Sequence, residues 1–190
     1  MMGGIALAHN VNEIHSIANT MADMFRYNIS GGSDLVSIND EIRHTENYLY
    51  IQKLRFQDRI QVELILDESI SNVLIPKFTL QPLVENAFEH GLSKMTRGGK
   101  LVIRVQETLD HLEITVWDNG EGMDMERSES LMEQIRNHNP LVPGQNFGIG
   151  LKNVNARLRL LFSDNYKFKI NSKLKEYTEV KLYIVKNAEV

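Results

Sequence analysis

Three short stretches of this 190-residue chain carry side chains that could do chemistry. The first ends an alternating segment. Leu112, Ile114, Val116 and Asp118 share parity, so the pleat that turns the aliphatics inward turns the Asp118 carboxylate inward with them. A buried carboxylate without donors is costly, so something must donate to it. Asn119-Gly120-Glu121-Gly122 follows, and its two glycines let another group approach the backbone closely. Two readings stand: a strand-end turn with a solvated acid, or a pocket floor whose acid accepts from a ligand amino group.

The second stretch is Gly144-Gln145-Asn146-Phe147-Gly148-Ile149-Gly150-Leu151, placed to open a helix. Glycines ahead of a helix expose free N–H groups at its positive dipole end, which suits a phosphate. An ordinary glycine turn is the other reading. The third runs from Leu80 to Gly91, with Asn86, Glu89 and His90 on one helical face opposite Leu80, Leu83, Val84 and Ala87. Such oxygen-bearing side chains lining a pocket suit Mg²⁺, which prefers oxygen ligands and keeps several waters; a polar exterior face is the alternative.

Elements must position these groups. Val11, Ile14, Ala18, Met21 and Phe25 make an apolar seam on a helix over 9–29, which packs either on the rest of the chain or on a second copy. Gly31-Gly32-Ser33-Asp34 breaks that helix, and Ser37 with Asp40 resembles a capping box opening a second one. Its stripe is Ile38, Ile42, Thr45, Leu49 and Gln52. Ile60–Leu66 alternates as a strand, and Thr79–His90 is a helix that tolerates Pro82 in its first turn and ends at Gly91. Leu101–Glu107 and Leu112–Asp118 form a hairpin turning at Asp110-His111. Met123 to Phe147 reads as a long irregular lid joining the two glycine stretches. A helix over 148–162 follows, with Leu151, Val154, Leu158 and Leu161 inward and Lys152, Asn155 and Arg159 on a polar flank that a solvated face explains as well as a site does. Tyr166–Ser172 and Thr178–Val185 close the chain as strands. The order implies an α+β fold, a two-layer α/β sandwich with helices on one face of a mixed, mostly antiparallel sheet, preceded by a helical pair.

Composition narrows the functions. Hydrophobic residues are 42% and charged residues 24%, a globular balance that excludes disorder and low complexity. The absence of cysteine excludes a disulfide framework, a thiol nucleophile and a Cys-based zinc site. With 21 Lys+Arg against 25 Asp+Glu and no basic block, no face is suited to nucleic acid. Apolar runs fall far short of the roughly 20 residues a bilayer requires. No Lys or Arg precedes Arg26, so the start lacks the basic flank of a signal peptide. A soluble, cytoplasmic chain is the expectation.

Taken in order, an Asn helix, Asp-x-Gly-x-Gly after a strand, a long lid and Gly-x-Gly-Leu opening a helix resemble the ATP-binding domain shared by gyrase, heat-shock chaperones and histidine kinases, the GHKL or Bergerat fold, over about residues 60–187. The resemblance implies ATP and Mg²⁺ as cofactors. It implies that Asn86 ligates Mg²⁺, that Asp118 accepts from the adenine amino group, and that Gly120 and Gly122 shape the adenine pocket. Gly148 and Gly150 would form the phosphate-facing turn, and Thr178 would help hold adenine. His90, Met123 and Leu151 join the nucleotide-binding set. Phe25-Arg26-Tyr27, Tyr48 through Phe56, Ile75-Pro76, Leu80 through Gly91 and Gly150 through Leu158 are similar to the LytS/YesM-type sensor histidine kinases.

That resemblance implies residues 1–58 as the remainder of a dimerisation and phosphoacceptor region and 59–190 as the catalytic domain. It implies transfer of the ATP γ-phosphoryl group to a histidine upstream of this stretch, relay to a response regulator, a homodimer through the N-terminal helices, and a membrane attachment only through the upstream region. Two departures stand out. Tyr177 occupies the place before Thr178 where the family usually has Gly, and none of the six histidines is followed by Phe, as the family's His-Phe-x-x-Asn acceptor motif requires. The acceptor is therefore expected outside this chain. Glu85, beside Asn86, is expected to take the imidazole proton. ATP-hydrolysing relatives carry a Glu one turn before the Mg²⁺ Asn, where this chain has Pro82. The alternatives are a GHKL-type ATPase and a non-catalytic dimerisation module.

Overall fold

The computed structural model describes residues 11–29, 33–67, 70, 73–138 and 149–186. Helix α1 (Asn12–Ile29) leads to a short strand β1 (Leu35–Ser37) and helix α2 (Ile38–Phe56). Ser37 caps α2 as its sequence predicts: its hydroxyl oxygen accepts from the Asp40 N–H at 3.1 Å, while the hydroxyl donates to the Asp40 carboxylate at 2.7 Å. The predicted stripe of Ile38, Ile42, Thr45, Leu49 and Gln52 is buried throughout. A single 3₁₀ turn (Gln57–Arg59) joins α2 to strand β2 (Ile60–Leu66). Strand β3 (Leu74–Pro76) returns to pair antiparallel with β1, a two-stranded ribbon that the sequence pattern did not disclose because three residues carry too little alternation to read.

Helix α3 (Leu80–Asn86) continues without interruption as a π-helical turn (Ala87–Leu92). Gly91 therefore lies inside the turn instead of ending the helix. Strands β4 (Gly99–Glu107) and β5 (His111–Asp118) form the expected hairpin, its turn closing at Thr108–Asp110 with the Thr108 N–H on the His111 carbonyl at 2.9 Å. The stretch read as an irregular lid contains helix α4 (Met125–Asn137), opened by Asp124, whose carboxylate accepts from the Arg127 N–H at 2.8 Å. Only Ile135 of α4 is buried, which is why no apolar stripe announced it. Helix α5 (Ile149–Phe162) and strands β6 (Tyr166–Lys173) and β7 (Tyr177–Val185) complete the order.

Five strands make one sheet in the order β2-β4-β5-β7-β6, with only the β2–β4 pair parallel. The mixed, mostly antiparallel sheet and its layer of helices bear out the expected two-layer architecture. Leu101, Ile103 and Val105, then Leu112, Ile114 and Val116, then Val180, Leu182 and Ile184 face the helices and are buried. Against them lie Leu80, Leu83, Val84 and Phe88 of the Asn86 helix and Leu151, Val154 and Leu158 of α5. Ile42, Leu49 and Phe56 of α2 belong to this same core, and Phe56 stacks on Phe88 at 5.4 Å between ring centroids. Helix α1 is different. Val11, Ile14, Met21 and Phe25 of its seam are exposed, and no residue of the helix is buried.

Candidate functional site

Register places the acid of interest at the sheet's end. Asp118 is the last residue of β5, opposite Leu101 on one side and Thr178 on the other, and only 2% of its surface is exposed. The turn after it is tied down by Asn119, whose carboxamide oxygen accepts from the Lys100 N–H at 2.6 Å and whose nitrogen donates to the Gly98 carbonyl at 2.9 Å. That turn brings the Gly120 N–H onto Asp118 Oδ1 at 2.9 Å. A methyl group on Gly91 would lie 2.2 Å from the same oxygen, and one on Gly120 would lie 2.2 Å from the Gly91 carbonyl oxygen. The π turn and the Asp-x-Gly turn thus interlock through missing side chains. Gly122 takes φ 58°, and a methyl group there would meet the Lys173 carbonyl oxygen at 2.0 Å.

Burial pushes the Asp118 carboxyl up to about 6, with the Gly120 N–H opposing the shift. A carboxylate has lone pairs for about four donors, and among the described residues Gly120 alone donates a hydrogen bond to it. Thr178, also buried, shares a 3.1 Å contact with the Ser172 hydroxyl. Ser172 gives its proton to the Tyr177 carbonyl at 2.8 Å, so the Thr178 hydroxyl is the donor between the two and keeps its own lone pairs for something else.

A cavity of about 240 Å³ opens over these groups. It brings together Asn86, His90, Asp118, Gly122, Met123, Leu151 and Thr178 from six different parts of the chain. Three expected residues stand elsewhere. Gly120 is behind the cavity wall against Gly91, and Gly150 is exposed beside Pro82. Glu85 is half-buried off the lining, accepting from Gln81 Nε2 at 2.6 Å, and burial raises its pKa. Gly148 lies outside the described residues.

Sequence reasoning missed the wall supplied by α4. Arg127, Ser130, Leu131 and Gln134 line the cavity at helical spacing, a mixed polar set whose period no apolar stripe marks. The polar flank of α5 is solvated only at Arg159, which is exposed. Lys152 and Asn155 are buried, with Lys152 on the cavity, while Asn155 donates to the Ile135 carbonyl at 3.0 Å and Arg159 to the Arg136 and His138 carbonyls at 2.7 and 3.0 Å. Asn155 and Arg159 hold the C-terminal end of α4 in place.

Chemically, the hollow offers a carboxylate and a hydroxyl at its floor and a carboxamide on its wall, with cations at Arg127 and Lys152. Among the described residues no three His, Cys, Asp or Glu side chains cluster to cage a metal ion. A hard ion here would take one oxygen from Asn86 and fill its shell with water and ligand oxygens, a division that suits Mg²⁺.

The profile of the family described as histidine kinase-, DNA gyrase B-, and HSP90-like ATPase matches residues 73–187. The chain belongs to this family. A second profile, histidine kinase, matches residues 2–60 of the same chain. Among curated relatives, sensor histidine kinase BtsS of Escherichia coli is 33% identical over 162 residues, which are 85% of this chain and 26% of BtsS. Sensor histidine kinase YesM of Bacillus subtilis is 32% identical over 186 residues, 98% of this chain and 30% of YesM. The chain thus spans less than a third of the length of these relatives. A crystal structure of histidine kinase ThkA in complex with response regulator protein TrrA shares the fold, with a TM-score of 0.56 at 13% identity over 94% of this chain and 50% of that one. Among the described residues of this ATPase-family chain, no helix is long and apolar enough to cross a membrane.

Proposed function

We propose that this chain is the ATP-binding catalytic part of a two-component sensor histidine kinase, moving the γ-phosphoryl group of ATP to a histidine carried outside these 190 residues for relay to a response regulator. The observation that carries the reading is Asp118, an acid 2% exposed at a sheet's end with one hydrogen-bond donor among the described residues and a cavity before it. An exocyclic amino group would supply the missing donor, with Thr178 beside it. Asn86, across the same cavity, would hold Mg²⁺, whose role is to neutralise charge on the phosphate oxygens. Arg127 and Lys152, both on the cavity lining, would supply cations to a polyphosphate.

Transfer to a neutral imidazole needs positioning and charge neutralisation more than covalent help from the protein. Glu85 is the candidate to receive the imidazole proton, its raised pKa suiting a base. Glu85→Gln should then slow phosphoryl transfer to a histidine-bearing partner chain while leaving nucleotide affinity unchanged; an unaltered transfer rate removes the role. Pro82, where a hydrolytic Glu would stand, favours this reading over an ATPase. The exposed seam of α1 is proposed as the face of a homodimer. Membrane attachment and signal sensing are assigned to other segments of the whole kinase.

Calorimetric titration with a non-hydrolysable ATP analogue, with MgCl₂ or with EDTA, tests the site. Asp118→Asn should abolish binding in both, because the carboxamide presents an amino group to an amino group. Asn86→Ala should leave the EDTA affinity and remove most of the gain from Mg²⁺. Binding that survives Asp118→Asn would refute the assignment.

A further inference from the structure

The helix that carries Asn86 is held at both ends by other parts of the fold. At its far end the π turn locks Gly91 against Asp118 and Gly120, and the Glu121 N–H donates to the Gly91 carbonyl at 3.1 Å. At its near end the holder is Glu41 of α2, a carboxylate with 0% exposure. One oxygen accepts from the Phe78 N–H at 2.7 Å, the other from the Thr79 and Leu80 N–H groups at 2.8 and 2.9 Å. The first N–H groups of a helix have no partner inside it, and a negative charge there also suits the dipole. Thr79, the residue placed to cap locally, makes no such bond and gives its hydroxyl to the Pro76 carbonyl at 2.6 Å. A side chain from another helix does the capping.

Other elements converge on the same loop. The Tyr27 hydroxyl, from α1, donates to Glu41 Oε1. The Lys77 ammonium donates to the Tyr27 carbonyl and lies over the Tyr27 and Phe78 rings at 4.6 and 5.2 Å. His44 of α2 stacks on Tyr27 at 4.0 Å, and Arg157 of α5 donates to the Phe78 carbonyl at 2.6 Å. Phe78 itself takes φ 59°, a left-handed conformation gripped through both its N–H and its carbonyl. Burial first, and Glu41 after it, raise the Tyr27 phenol, so it stays a donor at any working pH.

We infer that Glu41 is a positioning residue that seats the Asn86 helix, and that the Tyr27 hydroxyl ties this seat to α1. The inference rests on the reading of the cavity proposed above. Asn86 lies midway between the two pinned ends, so a shift of the near end moves it by roughly half as much, given the rigid rise of a helix. Mg²⁺ demands near-ideal ligand placement, which makes the metal contact the first thing such a shift would damage. Asp118 belongs to β5 and does not ride on this helix. Loosening the seat should therefore cost the metal-dependent part of nucleotide affinity and spare the rest, a split that general destabilisation does not produce.

The 190-residue chain is titrated with the imidotriphosphate analogue of ATP in EDTA and in MgCl₂, as wild type, Tyr27→Phe and Glu41→Gln. Tyr27→Phe removes one hydroxyl and is expected to fold; it decides the matter alone if Glu41→Gln does not. The expected result is a Mg²⁺-dependent gain at least fivefold smaller in Tyr27→Phe, and smaller still in Glu41→Gln, with EDTA affinity within twofold of wild type. A gain unchanged within twofold in Tyr27→Phe overturns the inference, as does an equal loss in both conditions. A wild type that binds the analogue without any gain from Mg²⁺ refutes the reading of the cavity itself, and the inference with it.

Discussion

Asp118 is built at a cost to the fold. Its carboxyl is held near 6 against an ordinary value of 3.8, so the sign of its contribution is fixed. A raised carboxyl favours the folded state below its unfolded value, and that contribution is lost as pH rises through about 6. Above that, the ionised acid costs the ligand-free chain on the order of 1–3 kcal/mol. Asp118→Asn keeps an acceptor for the Gly120 N–H and removes the charge. The variant should melt several degrees above wild type at pH 7.5, with the advantage shrinking toward pH 4 in a series of thermal melts. A constant difference across that range would contradict the pKa. Ligand binding runs the other way: an amino group donating to the acid favours its ionised form, so nucleotide affinity should fall by up to tenfold per pH unit below about 6.

Between elements, contact is made by side chains that are absent. A methyl group at Gly91 would be driven into the Asp118 carboxylate, whereas one at Gly150 meets only the Pro82 side chain at 3.4 Å, an ordinary contact. Gly91→Ala should destabilise the chain by about 1–3 kcal/mol and weaken analogue binding more than tenfold. Gly150→Ala, in a helix, should hold or raise the melting temperature, since alanine improves on glycine there by up to about 1 kcal/mol. Equal melting temperatures for the two variants would mean the interlock is loose. Much at this scale was legible beforehand. Parity alone turned Asp118 inward, and Ser37 announced α2. The illegible parts have physical causes. Helix α4 rests on one buried residue and on capping by Asp124, and Lys152 and Asn155 look like surface residues until α4 covers them. The place of Glu41 depends on Phe78, Thr79 and Leu80, more than 35 positions away, and no local spacing encodes it.

At the scale of the molecule, α2 is part of the sheet's core while α1 is bound to it mainly through polar and aromatic contacts around Tyr27 and leaves its apolar seam exposed. Phe25 is 61% exposed, and such a seam on an otherwise mainly polar helix favours self-association. Replacing Met21 and Phe25 together by Glu should leave the melting temperature of a dilute sample within about 2 °C, because neither side chain is buried. The same pair should convert dimer to monomer in sedimentation velocity. A wild type that sediments as a monomer at every concentration would remove α1 from the proposed interface. Helix α1 and the start of the Asn86 helix are joined through the Tyr27–Glu41–Phe78 junction, so a change in how two copies pack would have a physical route to the Asn86 helix.

The central claim is that Asp118 faces the nucleotide's base from inside the protein. It is tested most directly by following the Asp118 carboxyl carbon by NMR through a pH titration, with and without ADP. The expected midpoint is near 6 in the free chain, falling by at least one pH unit when ADP is bound. A free-chain midpoint near the ordinary 3.8, or one that ADP leaves in place, would contradict it.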